Sequence, residues 1–363
     1  MVPVTKIGLI GLGRITELVH LNILMNLPDV ELVALAECDP ERLEEARRRV
    51  RFAATFADYR DLLEMPDVEA VVICLPNALH AEVTVAALER GKHVYLEKPL
   101  AINLQEAKDV LNAWRRAGVV GMIGFNCRHH PLYKAAKRHI QAGCIGEPVI
   151  VRSVMSSASG SLATWKLKRR TGGGVLLDLA SHHIDQARFF FDQEVREVFA
   201  VLQSQRSEDD TATLQMRMAN GLLIQSFFSM NSGVDEDRFE VHGRTGKLAF
   251  DRYHSLHLEI SRAGEHLSVL KQLSQELRSL IFTRYARGKL LAPTREPSYQ
   301  AALLHFVEAV RANRPAGPDF WDGYRSLAVI EAAEESAKTG RPQPCCGTEP
   351  KQTFPSTGYK SQD

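Results

Sequence analysis

Apolar and polar positions change their rhythm once along this chain, near residue 125. Up to that point, short runs of consecutive apolar residues alternate with segments whose apolar residues recur at helical spacing. That alternation predicts parallel strands with helices on both faces. The strands read Ile7–Ile10, Val30–Ala36, Ala53–Phe56, Glu69–Leu75, His93–Leu96 and Val119–Phe125. Between them, Ile15, Leu18, Val19 and Ile23 share one helical face, and Pro40 opens a charged helix that runs through Arg49. Ala78–Arg90 reads as a helix closed by Gly91, and Asn103 caps a helix to Ala117 with Gly118 just past its end. Six such strands joined by right-handed crossovers predict a doubly wound, dinucleotide-binding sheet in residues 1–125.

Beyond Phe125 the texture becomes that of an antiparallel sheet. Thr211–Met218 and Leu222–Met230 alternate apolar and polar residues around Asn220-Gly221, a strong hairpin signal. Val149–Val154, Val195–Leu202, Phe239–Val241, Lys247–Phe250 and Leu256–Ile260 are further strands. Tyr299–Asn313 and Gly323–Thr339 are long amphipathic helices. Few helices intervene between these strands, so residues 126–342 are expected to form an α+β domain, an open, mostly antiparallel sheet with helices on one face. Leu270, Leu273, Leu277, Leu280 and Ile281 make a helical stripe within 262–296, read as an insertion. Residues 343–363 are rich in Pro, Gly, Ser, Thr and Gln and are expected to be a disordered tail.

Composition narrows the function. A net charge of +1 over 363 residues gives no electrostatic footprint for nucleic acid or an anionic membrane. No apolar run is long enough to span a bilayer, and the chain enters a strand so soon that no signal peptide is expected. The six cysteines lack metal-ligand spacing, so reduced thiols in a cytoplasm are expected, with the adjacent Cys345-Cys346 exposed to oxidation in the tail.

Candidate chemistry gathers where strands end. Gly11-Leu12-Gly13-Arg14-Ile15-Thr16 forms the first strand-to-helix turn. Gly11 permits the tight turn and Gly13 lets the backbone approach a pyrophosphate resting on the helix N-terminus. Thr16 stands where a smaller residue is usual, so looser helix–strand packing is expected there. Glu37 ends the second strand, about twenty residues past the turn, where a carboxylate accepts from ribose hydroxyls and repels a 2′-phosphate. NAD is therefore expected over NADP, with Arg14 and Arg42 as cations that soften the preference.

Pro76-Asn77 ends the fourth strand on the ligand side, with His80 opening the next helix. Glu97-Lys98-Pro99 ends the fifth, and Lys98 there can meet a substrate hydroxyl or a developing alkoxide. Downstream, Gly172-Gly173-Gly174 leads into a helix carrying Asp178 and His182, which four-residue spacing puts on one face. Asp178 is expected to touch substrate and bias the proton on His182, and His182 to take a hydroxyl proton as hydride leaves. A core Asp–His hydrogen bond competes with this reading. So does a metal site using the pairs His129-His130 and His182-His183, but adjacent histidines on a helix point about 100° apart and chelate poorly together. No metal is expected.

With these residues in place, the chain from residue 4 to about 342 resembles the glucose-fructose oxidoreductase / inositol dehydrogenase / rhizopine-catabolism (Gfo/Idh/MocA) oxidoreductases. The resemblance rests on the Gly11-x-Gly13 turn, Pro76-Asn77-x-x-His80, Glu97-Lys98-Pro99, Gly124-Phe125-Asn126-x-Arg128, Gly172–Gly174 and Asp178-x-x-x-His182-x-x-Asp185, with Gly243-x-x-Gly246 and Glu331–Pro342 in support. It implies an N-terminal Rossmann domain, a C-terminal domain with a large open sheet, and homodimers or homotetramers built on that sheet. It implies NAD(P)-dependent hydride transfer at a carbinol or keto carbon of a sugar, cyclitol or sugar nucleotide. Carried onto this chain, it makes Lys98, Asp178 and His182 catalytic. It assigns cofactor contacts to Gly11, Gly13, Arg14, Ile15, Glu37, Pro76, Asn77, His80, Glu97, Lys98 and Asn126, and substrate contacts to Lys98, Arg128, Asp178 and His182. Whether Lys98 or His182 accepts the proton stays open. Two other activities share the fold: a glycosidase-like reaction that retains its NAD, and a non-catalytic nucleotide-binding regulator.

Overall fold

A computed structural model describes residues 4–158, 160, 162–264, 288–289 and 296–345. The stripe Leu270–Ile281, Cys346 and the tail beyond it lie outside the described residues.

The first sheet is built from β1 (Thr5–Ile10), β2 (Val30–Ala36), β3 (Ala54–Phe56), β4 (Ala70–Ile73), β5 (His93–Leu96) and β6 (Gly121–Ile123), all parallel, in the order β3-β2-β1-β4-β5-β6. The order reverses between β1 and β4, which opens a crevice at the carboxyl ends of the strands. β4 is apolar and buried throughout, and β5 is buried at every position after His93, because helices cover both faces. A π-helical turn, Thr16–His20, leads into the short α1 (Leu21–Leu24). α2 (Pro40–Arg49) starts at Asp39, whose carboxylate accepts from the Glu41 and Arg42 amides. The helix expected from Ala78 begins as a 3-10 turn at Asn77–Leu79 and continues as α4 (His80–Glu89), after α3 (Tyr59–Leu63). α5 (Leu104–Ala117) is capped by Asn103 and stopped by Gly118 in the left-handed region.

A cation is buried in this half. His20 is fully buried and its Nε2 lies 2.7 Å from Glu97 Oε1. Burial opposes its charge, but Cys74 and Glu97 more than offset that, and its pKa is pushed up to about 10. A folded-state value above the unfolded one gives stability that is complete below about pH 6.5 and is lost as pH rises through about 10. Thermal midpoints of the unmodified protein are expected to fall across that window, and those of His20→Gln to be lower and flatter there. Parallel curves would exclude the pair as the source.

The second sheet follows α6 (Pro131–Gln141) and is built around α7 (Ser181–Phe191) and α9 (Phe320–Thr339). Its strands are β7 (Pro148–Ala158), β8 (Val195–Gln203), β9 (Thr211–Met218), β10 (Leu223–Ser232), β11 (Glu236–Gly243), β12 (Gly246–Asp251), β13 (Glu259–Arg262) and β14 (Gln343–Pro344). The order is β13-β12-β11-β7-β10-β9-β8-β14, antiparallel except for β7 with β10. One face of β9 and β10, with Leu214, Met216, Ile224 and Phe228, is buried, while Leu223 and Phe227 are exposed. Tyr133, Phe190, Phe239 and Phe250 pack ring on ring beneath it.

Several boundaries differ from the sequence reading, most of them by a few residues. β13 starts at Glu259 rather than Leu256, after a turn in which Asp251 Oδ1 accepts from the Tyr253 and His254 amides. Gln343–Pro344, expected in the tail, instead pair with the edge of β8, and Cys345 is buried with its amide donating to Arg196 O. Cys345 is thus not an exposed thiol. Finally, α8 (Ser298–Arg311) buries Ala302, Leu303, Phe306 and Val307 in one core with Ile7, Leu9 and Tyr95 of the first sheet.

Candidate functional site

At the end of β1 the glycine turn shows two kinds of glycine. Gly11 has φ +88°, and a Cβ there would lie 2.3 Å from Cys74 O, so the chain itself demands glycine. A Cβ on Gly13 would meet nothing within 4 Å. Packing does not require glycine at 13, whereas a ligand resting on the turn would. Thr16 does not loosen the turn as expected. It is fully buried, and its hydroxyl donates to Gly11 O at 2.7 Å, tying the helix start back to the turn. Arg14 is exposed and Ile15 half-buried at the rim. Glu37, from the end of β2, accepts from Leu12 N at 2.7 Å and from Asp39 N at 3.0 Å. Its carboxylate therefore sits against the turn, where an adenosine ribose would lie in this fold.

Lys98 leaves β5 toward the same crevice. Its Nζ donates to Asp178 Oδ1 at 3.0 Å and to Asp178 O at 2.7 Å. Asp178 Oδ2 accepts from Lys166 Nζ at 2.6 Å. Burial alone would raise the Asp178 pKa, but Lys166 and Lys98 hold it well below the ordinary carboxylate range. Lys166 was not singled out from the sequence. Its one signal was the cationic run Lys166, Lys168, Arg169, Arg170 just before the triple glycine.

The expected Asp178–His182 coupling is not formed. Asp178 lies on a π-helical turn, Leu176–Ala180, wider than an α-turn, and both its oxygens are taken by lysines. His182, in the first turn of α7, packs edge-on to Phe125 at 6.4 Å between centroids. Its Nδ1 is buried with no hydrogen-bond partner among the described residues. Burial, then Lys98, push its pKa well below the ordinary value, so the ring is neutral.

The glycine run holds these pieces together. Gly172 and Gly174 have φ +89° and +91°. A Cβ on Gly173 would lie 2.2 Å from Lys166 O, and the Gly173 amide donates to Lys168 O at 2.9 Å. Asn77 Nδ2 donates to Gly172 O at 2.7 Å, which stitches the end of β4, just past Pro76, to this run.

Four residues assigned by sequence are engaged within the fold. His80 is buried with Nδ1 2.6 Å from Pro99 O and Nε2 2.9 Å from Leu75 O, so it clamps the ends of β4 and β5 instead of facing a cofactor. Glu97 turns inward to His20 and positions the strand end beside Lys98. Asn126 spends its amide on Ser298 Oγ at 2.7 Å, although its buried Oδ1 has no hydrogen-bond partner among the described residues. Arg128 does not reach toward Lys98 but is held by Asp185 at 2.5 Å and Asp322 at 3.0 Å, in a network with Arg188. Of the histidines weighed as metal ligands, His183 Nε2 lies 3.0 Å from Asp237 Oδ1 in the core, and His130 Nδ1 accepts from Leu132 N. A cavity of about 520 Å³ beside Thr5, Glu69 and His93 opens at the amino ends of the strands, the edge opposite this chemistry.

The turn fits a dinucleotide: an unfilled space at Gly13, a carboxylate at Glu37 and an unpaired amide oxygen at Asn126. Comparisons with known proteins agree. Residues 5–125 match the NAD-binding Rossmann-fold model of the Gfo/Idh/MocA oxidoreductase family, and residues 137–345 match the model of its C-terminal alpha/beta domain. Myo-inositol 2-dehydrogenase of Thermotoga maritima is 29% identical over 347 residues, covering 93% of this chain and 97% of that protein. Levoglucosan dehydrogenase of Pseudarthrobacter phenanthrenivorans is 28% identical, covering 84% and 86%. A solved structure of levoglucosan dehydrogenase in complex with NADH and levoglucosan superposes with TM-score 0.81 at 26% identity, covering 94% of this chain and 99% of that one.

Proposed function

The chain belongs to the Gfo/Idh/MocA oxidoreductases, and from that premise we propose that it moves hydride between NAD and a carbinol or keto carbon of a sugar or cyclitol, with the reacting carbon among Lys98, Asp178 and His182. Bound at the glycine turn, NAD supplies the two-electron acceptor or donor. Gly11, Gly13 and Glu37 would hold its nucleotide end. The observation that carries the reading is the meeting of Lys98 with Asp178 at 3.0 Å, joining the end of β5 to the helix that bears His182. Lys98 presents an ammonium to the oxygen that gains charge. His182 stands beside Lys98 with its pKa held low by burial and by that lysine, and the hydroxyl proton goes to one of these two residues. Asp178 orients Lys98 through both its carboxylate and its carbonyl.

The test is NADH formation across sugars and cyclitols. Stoichiometric NADH supports net oxidation. Release of a leaving group without NADH would point to an NAD-retaining glycosidase, and NAD binding with no turnover to a regulator. Glu37 gives a second test. The unmodified protein is expected to bind NADH more tightly than NADPH, and Glu37→Ala to narrow the gap, losing roughly tenfold for NADH while NADPH binding tightens as the repulsion is relieved. Tighter NADPH binding by the unmodified protein would overturn the preference.

Two coarser readings accompany this one. The outer face of the second sheet exposes Val149, Val201, Leu223 and Phe227, which supports homodimers or homotetramers formed on it, measurable by light scattering. No helix among the described residues is long and apolar enough to cross a membrane. The free thiols of Cys38, Cys74, Cys127, Cys144 and Cys345 suit a reducing cytoplasm.

A further inference from the structure

We infer that Lys166 selects a substrate whose sugar or cyclitol carries an anionic substituent, a carboxylate or a phosphate. The inference rests on the proposed oxidoreductase reading and names the substrate class of that site.

The first observation is a charge count at the crevice. Lys98 and Lys166 share one carboxylate, that of Asp178, which leaves one positive charge uncompensated beside a neutral His182. Other nearby cations are matched. Arg252 is held by Asp237 at 2.6 Å and Glu296 at 3.2 Å, and Arg169 by Glu334. Lys168 and Arg170 are exposed on the same short stretch as Lys166, with no ion pair among the described residues, and Glu208, which accepts from the Arg169 amide at 2.8 Å, and Asp209 beside Gly174 are the acids that border it. A site of this sign raises the local concentration of anions and favours them once bound.

The second observation is that the two lysines are unequal. Lys98 is tied twice, to the Asp178 carboxylate and its carbonyl, and its side chain is 15% exposed. Among the described residues, Lys166 Nζ donates only to the Asp178 oxygen at 2.6 Å; the side chain is 28% exposed and lies over the Trp165 ring at 5.4 Å. Its backbone is fixed, because its carbonyl abuts Gly173 and Arg169 anchors the stretch to Glu334 and to Ile102 O. What can move is the side chain.

The third step is chemical. Each Asp178 oxygen accepts from one lysine and keeps a further lone pair, so a substrate hydroxyl can pair with Asp178 while both lysines stay in place. Lys166, the less tied of the two, keeps N–H donors for a further acceptor. A neutral hydroxyl would not replace a carboxylate as the partner of a partly desolvated ammonium, whereas a carboxylate or phosphate would. Specificity then comes from the surplus positive charge, which an anionic substituent neutralises and a neutral sugar leaves uncompensated.

The experiment pairs neutral and anionic probes on one scaffold: D-glucose with D-glucuronate and D-glucose 6-phosphate, and myo-inositol with myo-inositol 1-phosphate. Binding to the NADH-loaded protein is measured by calorimetry, and NADH formation from NAD is measured alongside. At least one anionic probe is expected to bind at least tenfold more tightly than its neutral parent, with the advantage shrinking as salt rises. The glucuronate and phosphate arms tell the two anions apart. Lys166→Gln should abolish most of the advantage and Lys166→Arg should restore it, with NADH binding unchanged in both. The exposed pair Lys168→Gln/Arg170→Gln should reduce the advantage and its salt dependence without touching Asp178. Equal or better binding of the neutral parents, or no binding by any anionic probe, overturns the inference. An anionic advantage in binding with no NADH formed would sink the oxidoreductase reading and leave this inference standing. Turnover of neutral sugars without an anionic advantage would do the reverse.

Discussion

Lys98→Ala is expected to lower kcat at least a hundredfold, with NADH affinity within about twofold of the unmodified value. The size follows from what the ammonium does. It is the positive charge aimed into the crevice from the rigid end of β5, and removing one preorganised charge or donor from a transition state typically costs a factor of about 10² to 10³. Lys98→Ala also releases Asp178 from one of its two cations, leaving a buried carboxylate held by Lys166 alone. The combined variant Lys98→Ala/His182→Ala should therefore cost much less than the product of the two single changes, because the residues serve one reacting centre. NADH titration by fluorescence separates lost chemistry from lost cofactor. Turnover in Lys98→Ala within threefold of the unmodified protein would remove this residue from the mechanism.

Gly173→Val is the other large effect, and it acts without touching substrate. The added Cβ would sit 2.2 Å from Lys166 O and 2.9 Å from Lys168 O. Both are backbone atoms, so no rotamer change relieves the clash, and the segment bearing Lys166 must move. Overpacking of this kind costs about 1–3 kcal/mol in stability. The distinguishing expectation is kinetic. At a temperature well below the melting midpoint of the variant, kcat should still fall at least tenfold, because Lys166 and the π-turn carrying Asp178 are displaced together. A purely structural glycine would lower the midpoint and spare the rate. Full turnover in folded Gly173→Val protein would end the account of Gly172–Gly174 as the element that positions the site.

Which parts of this could be read from sequence follows from the range of the interactions involved. β2, β5, α2, α5 and β9 match their expected limits because local signals define them: apolar runs, the caps Asp39 and Asn103, the stop at Gly118, and the Asn220-Gly221 turn. Strand ends in the second sheet were less legible. β7 runs on to Ala158 because β11 pairs with it as far as Ser156 and β10 sets Ser232 opposite Ala158, and nothing local to Val154 announces that. Lys98 and Asp178 were visible as motif residues, yet the partner of Asp178 was misread. Four-residue spacing implies an α-turn, and the π-turn at Leu176–Ala180 alters the facing. Pairings such as His20 with Glu97, 77 positions apart, or Arg128 with Asp322, 194 apart, leave no periodic trace at all. The same holds for His80. Its place at a strand end suggested a ligand contact, and only the fold shows both ring nitrogens already facing carbonyls.

The seating of α8 on the first sheet bears on how such a protein can be taken apart or recombined. Leu303, Phe306 and Val307 complete the core around Ile7, Leu9 and Tyr95, so the nucleotide half is finished by residues that the ribosome adds some 180 positions after β6 closes. A cut at residue 125 would sever no strand of that sheet and yet would strip one of its faces. The unit that can be exchanged between relatives is therefore not a stretch of sequence but a pair of segments, one at each end of the chain, and a chimera that moves the glycine turn must carry its distant lid of leucine and phenylalanine with it.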